Sequence, residues 1–167
     1  MSATNTELPR LLVIHGPNLN TLGTRQPEIY GRTTLSEIND SLRAYGAERG
    51  YEIVTFQSNH EGALIDFLQA EANNSVGIVI NPGGLTHTSV SLRDALAATD
   101  RPIIEVHLSN IHAREPFRHT SYIAPISKGQ IAGLGSAGYL YAVQSLIEMH
   151  AGSLTDTFSH EKNIHNQ

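Results

Sequence analysis

Val76-Gly77-Ile78-Val79-Ile80-Asn81-Pro82-Gly83-Gly84-Leu85-Thr86-His87 is the stretch that decides the fold. Its first half is continuously apolar and short. Its second half turns abruptly polar and glycine-rich. A run of that kind, bounded by turn residues, reads as a strand buried on both faces, the kind found in parallel sheets covered by helices. Two other runs end the same way. Leu11-Leu12-Val13-Ile14 stops at His15-Gly16-Pro17-Asn18, and Ile103-Ile104-Glu105-Val106 stops at His107-Leu108-Ser109-Asn110. If the three runs are parallel strands, their polar ends share one edge of one sheet. Open α/β sheets bind ligands outside that carboxyl edge.

Helical patterns separate the runs. Thr34 and Glu37 form a capping-box pair ahead of Leu35, Ile38, Leu42 and Tyr45, and Gly50 stops that helix. A second strand covers Tyr51–Gln57, followed after Ser58 and Glu61 by a helix burying Leu64, Phe67 and Leu68. A third helix is expected over Ser89–Ala98, a fourth strand over Pro102–His107, a fifth within Tyr122–Ala132, and a last helix over Ser136–His150. Gly16–Thr33 is read as a long loop, a length that usually marks function or mobility. Strands alternating with helices imply βαβ units, hence an α/β, flavodoxin-like three-layer sandwich with a five-stranded parallel sheet. In the usual order of that fold, 2-1-3-4-5, the Asn18 and Asn81 clusters face each other across the switch point and His107 lies one strand further on. Residues 10–151 make a single catalytic domain, with a flexible N-terminus over 1–9 and a disordered tail over 152–167.

Composition narrows the function. Of 167 residues, 40% are hydrophobic, enough for one core, and the formal net charge is −5. The basic residues are scattered, so no nucleic-acid partner is expected. Cysteine is absent, which removes disulfides, thiolate nucleophiles and zinc–cysteine sites and suits a reducing cytoplasm. Met1–Pro9 lacks the apolar stretch of a signal peptide, and no run approaches a membrane span.

Several clusters carry chemistry, each with a plainer alternative. Asn81-Pro82-Gly83-Gly84 is either a strand-to-helix turn or a backbone cradle for an anion, and His87 beyond the turn favours a binding site. Glu105 and His107, two apart on one strand, share a face; the carboxylate would orient the imidazole for acid catalysis. In Gly23-Thr24-Arg25-Gln26-Pro27-Glu28-Ile29-Tyr30-Gly31, a guanidinium near Tyr30 would favour the phenolate of a side chain that ordinarily titrates at about 10. The same segment could be a surface loop held by a packed tyrosine. Arg114 and Arg118, with His112 and His119, could hold an anionic or hydroxylated ligand or form a solvated face. The histidines match no strong metal motif, so no metal is expected. Gly133-Leu134-Gly135-Ser136-Ala137-Gly138 fits a dinucleotide fingerprint but precedes the last element, without the second strand and acid that motif requires; it reads as a tight turn. A flavodoxin-like nucleotide- or flavin-binding module is the competing function, and a metal-dependent hydrolase a more distant one.

Taken together, Gly16-Pro17-Asn18-Leu19, the loop to Tyr30-Gly31, Asn81 through Ser89, Glu105 through Asn110, and His112-Ala113-Arg114-Glu115 with Arg118 resemble the type II 3-dehydroquinate dehydratases (type II dehydroquinases) over roughly Leu11–His150. The resemblance implies dehydration of 3-dehydroquinate to 3-dehydroshikimate without metal or organic cofactor, a reaction shared by the shikimate pathway and quinate breakdown. It implies Tyr30 as base, Arg25 as its activator, Asn18 as the holder of a water near the enolate, and His107 as acid oriented by Glu105. It assigns Asn81, Ser109 and the backbone of Leu108 to the substrate carboxylate, and His87 and Arg118 to ring hydroxyls. Asp94 would reach a neighbouring subunit's site in a dodecamer built as a tetramer of trimers. Gln26 stands where many members have glutamate. Lysine is scarce, with only Lys128 inside the domain, unlike the Schiff-base chemistry of the unrelated type I enzymes.

Overall fold

The computed structural model describes residues 7–24, 27–30 and 32–164, with backbone alone for Pro27, Tyr30 and residues 154–164. Five parallel strands, β1 (Arg10–His15), β2 (Glu52–Gln57), β3 (Gly77–Asn81), β4 (Ile103–His107) and β5 (Gly129–Ala132), form one sheet in the order β2-β1-β3-β4-β5. This is the flavodoxin-like order expected from the alternating pattern. Helices α2 (Leu35–Ala47) and α5 (Ala137–Ile164) cover one face, and α3 (Glu61–Glu71) and α4 (Val90–Ala97) the other.

Strand parity sorts the core into two layers. Leu11 and Val13 of β1 join Val79, Ile38, Leu42, Val143 and Leu146 on the α2/α5 face. Leu12 and Ile14 join Ile78, Ile80, Leu64, Leu68 and Leu92 on the α3/α4 face. The strands β1, β3 and β4 are apolar on both sides because helices cover both sides. The same parity sends the polar strand ends to opposite faces. His15 and Asn81 continue the α2/α5 layer, whereas Glu105 and His107 continue the Ile103 side of β4, toward α4.

The capping box at Thr34 forms as expected: its hydroxyl accepts from the Glu37 amide while the Glu37 carboxylate accepts from the Thr34 amide at 2.7 Å. The pair at Ser58 and Glu61 does not cap α3. Ser58 Oγ accepts from the His60 amide, and Glu61 accepts instead from the hydroxyl of Ser89, the N-cap of α4. That bond ties α3 to α4 across the sheet face. Within the segment read as a loop, Leu19–Thr21 form a 3-10 turn and Pro27–Tyr30 a short helix, α1. The last helix, expected to end near His150, continues in backbone to Ile164 and so enters the segment read as a tail. After Gly152 no proline or glycine interrupts its hydrogen-bond ladder up to that point.

One close approach shapes the carboxyl edge. The Gly16 amide donates to the Asn81 carbonyl at 2.8 Å, and a Cβ on Gly16 would sit 2.3 Å from the Pro82 carbonyl oxygen. Glycine is therefore required for β1 and β3 to leave the sheet side by side. Gly83, with φ +58, then turns the chain in a conformation that side chains rarely adopt.

Candidate active site

A pocket opens at this edge, and its walls carry Asn18, Asn81, His87, His107, Ser109 and Arg118. Three strand ends and the loops following them thus meet as the topology required. Leu108 also lines it, so seven of the residues given a role by the family resemblance share one cavity. Arg25 lies outside the described residues, as does the side chain of Tyr30.

Glu105 sits behind His107 rather than in the pocket wall. It is fully buried, and Nε2 of His107 donates to its Oε1 at 2.5 Å. A buried carboxylate survives only with partners. Glu105 has three: His107, the Ser121 hydroxyl at 2.9 Å, and the Gln130 amide at 3.1 Å. Gln130 arrives from β5, directly opposite Glu105 in the strand register. Ser121 is itself fixed by accepting from the amides of Ile123 and Ala124. Because Nε2 is engaged by the carboxylate, Nδ1 is the ring nitrogen left for a ligand, and the ring orientation is set from behind.

The opposite wall is set by backbone geometry. Asn18 adopts a left-handed conformation, φ 69, which asparagine tolerates better than most residues. Its amide donates to Asn59 Oδ1 at 2.9 Å, and its carbonyl accepts from the Thr21 hydroxyl at 2.8 Å. His87 Nδ1 lies 2.7 Å from the Thr120 carbonyl. A carbonyl only accepts, so Nδ1 carries a proton, and in the neutral ring Nε2 is left as an acceptor. Arg118 donates from Nε to Glu115 at 2.7 Å, and its guanidinium lies 4.8 Å from the Phe117 ring centre. The Glu115 carboxyl is held below the usual carboxylate range, first by its own backbone amide and then by Arg118.

Arg114, weighed from sequence only as a general anion contact, also lines the pocket and donates to the Ser109 hydroxyl at 3.2 Å. Among the described residues, Arg114 and Arg118 both approach the Glu115 carboxylate, at 3.7 and 2.7 Å, and bring two guanidinium groups to this rim. A small carboxylate ligand suits it. Asp94 is not part of this pocket. It is exposed on α4 and paired with Arg93 at 2.9 Å. Among the described residues, no group of three His, Cys, Asp or Glu side chains is placed to hold a metal ion, and no helix is long and apolar enough to cross a membrane.

The glycine motif after β5 serves the site in the manner of a turn. Gly133 and Gly135 have φ +86 and +59, and their amides donate to the carbonyls of His107 and Leu108 at 3.2 and 3.0 Å. These amides secure the end of β4 and are not free for a phosphate, contrary to what a dinucleotide site needs. Gly83 is likewise engaged, its amide donating to Asn81 Oδ1 at 3.1 Å.

Fold and pocket together define an α/β enzyme site at the carboxyl edge of a parallel sheet, with an oriented imidazole facing asparagine and arginine side chains. The family model described as Dehydroquinase class II matches residues 9–147. A 3-dehydroquinate dehydratase of Roseiflexus castenholzii is 63% identical over 138 residues, covering 83% of this chain and 88% of the relative. A catabolic 3-dehydroquinase of Aspergillus oryzae is 56% identical over 134 residues, covering 80% of this chain and 88% of the relative. The crystal structure of a type II dehydroquinase from Butyrivibrio crossotus superposes with a TM-score of 0.81 at 45% identity, covering 83% of this chain and 97% of that one. The chain belongs to the class II dehydroquinase family.

Two residues that hold Glu105, Ser121 and Gln130, are not among those singled out from the sequence. Gln130 could have been found by pairing Glu105 across the expected fourth and fifth strands. Ser121 had no signal, since it reaches Glu105 from an irregular connection.

Proposed function

We propose that the protein dehydrates 3-dehydroquinate to 3-dehydroshikimate, with Tyr30 as base and His107 as acid and without a metal or organic cofactor. The observation that carries the reading is the Glu105–His107 pair: a buried, triply bonded carboxylate fixes an imidazole in the wall of a pocket rimmed by arginines.

The substrate carboxylate binds Asn81, Ser109 and the Leu108 backbone, beside the Arg114 guanidinium. His87 and Arg118 take ring hydroxyls, with His87 Nε2 accepting. The Tyr30 phenolate, favoured by Arg25, removes the proton beside the ketone, and the electron pair moves into an enolate. Asn18 holds a water that donates to the enolate oxygen. As the enolate collapses, the β-carbon–oxygen bond breaks. His107 gives the proton on Nδ1 to the departing hydroxyl, which leaves as water. The product is a conjugated enone. Tyr30 ends protonated and His107 deprotonated, and solvent restores both.

Assembly into a dodecamer, a tetramer of trimers, is part of the same proposal. Asp94 then serves a neighbouring copy's pocket. Its exposure on α4, one turn from an exposed Val90, supports that role.

Tyr30→Phe tests the reading through the ultraviolet absorbance of the enone. The variant should lose about 10²–10⁴-fold in kcat. Near-full turnover would remove Tyr30 from the mechanism. Arg25→Gln should move the requirement for the deprotonated base to higher pH.

A further inference from the structure

The turn that carries Asn18 into the pocket wall is gripped from both sides. On one side lies β3, where the Asn81 carbonyl accepts from the Gly16 amide at 2.8 Å. On the other lies the end of β2, an edge strand whose last residue, Gln57, stands opposite His15 in the register. Gln57 Nε2 donates to the Gly16 carbonyl at 3.3 Å and to Asn59 Oδ1 at 3.1 Å. Asn59 Oδ1 also accepts from the Asn18 amide at 2.9 Å. Two side chains from the β2 end thus bracket the peptide groups on either side of Pro17.

Backbone groups fix which way both side-chain amides point. The Gly16 carbonyl can only accept, so Gln57 turns its nitrogen to it. The Asn18 N–H can only donate, so Asn59 turns its oxygen to it. The contact between the two side chains is then N–H to oxygen, in agreement with both assignments. Flipping either amide, or both, sets like groups face to face at two of the three contacts. Asn18 needs such a grip. Its φ of 69 lies in the left-handed region, which is unfavourable for any residue but glycine. Its carbonyl is tied as well, by the Thr21 hydroxyl at 2.8 Å. Among the described residues no protein group holds the Asn18 side chain, so the backbone sets its aim.

We propose that Gln57 and Asn59 are positioning residues for Asn18: their hydrogen-bonded pair clamps the two peptide groups around Pro17 in the left-handed turn that brings Asn18 to the pocket wall. The clamp uses only the oxygen of Asn59. Among the described residues nothing accepts from its amide nitrogen. An oxygen acceptor at that reach is therefore all that position 59 must supply. The inference rests on the reading of Asn18 as the holder of the water at the enolate. A group in that role acts on charge that develops in the transition state, and it acts only from a fixed place. Loosening its backbone therefore reduces kcat more than it raises KM.

The test is a double-mutant cycle on 3-dehydroquinate turnover, with an isosteric rescue. Asn59→Ala removes the acceptor and should lower kcat about tenfold while KM stays within about twofold. Asn59→Asp keeps an oxygen in place and should stay within about threefold of the wild-type kcat. Asn18→Gly keeps the left-handed turn without steric cost and removes the side chain. It should lower kcat about 10²-fold, and adding Asn59→Ala to it should change nothing further. Asn59 is exposed, so its replacement leaves the core intact. Should Asn59→Ala nevertheless not fold, Gln57→Leu takes its place, with the same expected dependence on Asn18. A wild-type kcat in the tested variant, an Asn59→Asp protein as impaired as Asn59→Ala, or kcat losses that multiply in the double variant would each overturn the clamp while Asn18→Gly remains impaired. A wild-type kcat in Asn18→Gly would instead refute the role of Asn18 in the mechanism, and with it the purpose of the clamp.

Discussion

Replacing His15 by asparagine should flatten the loss of stability that acid produces. In the fold the His15 pKa is lowered from 6.5 to about 4, chiefly because burial disfavours the charged ring, with a smaller opposing contribution from Asn39. The unfolded chain takes up this proton near the ordinary value. Between the two values the unfolded state binds more protons than the folded one, so stability falls as pH falls. Above the unfolded value the contribution vanishes, and below the folded value it is complete. At about pH 4.5 a shift of this size corresponds to a loss on the order of 2–3 kcal/mol per chain relative to neutral solution. Urea unfolding followed by circular dichroism at about pH 7 and about pH 4.5 measures it, with the wild type losing about 2 kcal/mol more than His15→Asn between the two. The variant loses packing and hydrogen bonds at both pH values, so the comparison is between slopes, not midpoints. Parallel losses in the two proteins would refute the claim that His15 is folded in neutral.

Two further substitutions probe the site's supports. Gly16→Ala forces a Cβ against the Pro82 carbonyl, which is backbone and cannot swing aside, so it should destabilise by about 1–3 kcal/mol and lower the thermal midpoint. Glu105→Gln keeps the shape but turns an amide donor toward the donors that now surround the carboxylate. It should reduce kcat by at least about tenfold, less than removal of His107 itself, and destabilise by about 1–3 kcal/mol in thermal unfolding.

The sheet was legible because β1, β3 and β4 are apolar without alternation and end abruptly in polar clusters. Burial on both faces and opening at one edge produce that pattern. The pocket residues Asn18, Asn81, His87, His107 and Ser109 were legible for the same reason, since each falls at or just past a strand end. What supports them was not. Ser121 and Gln130 reach Glu105 from an irregular connection and from an edge strand whose limits the sequence left open. His15 has the neighbours Tyr139 and Asn39, 124 and 24 residues away, and no local pattern announces a contact of that separation. The Ser58–Glu61 pair had the spacing of a cap, yet a tertiary partner, Ser89, captured the glutamate. The glycines at Gly133 and Gly135 matched a cofactor motif locally. Their amides are engaged by the carbonyls that end β4, which only the assembled sheet reveals.

In the proposed mechanism the imidazole held by Glu105 delivers the proton that lets the hydroxyl leave. Turnover of 3-dehydroquinate by His107→Asn, followed as enone absorbance beside the wild type, tests it most directly. A fall in kcat of about 10²–10⁴-fold is expected in a variant that remains folded. A folded His107→Asn protein that forms the enone at close to the wild-type rate would contradict it.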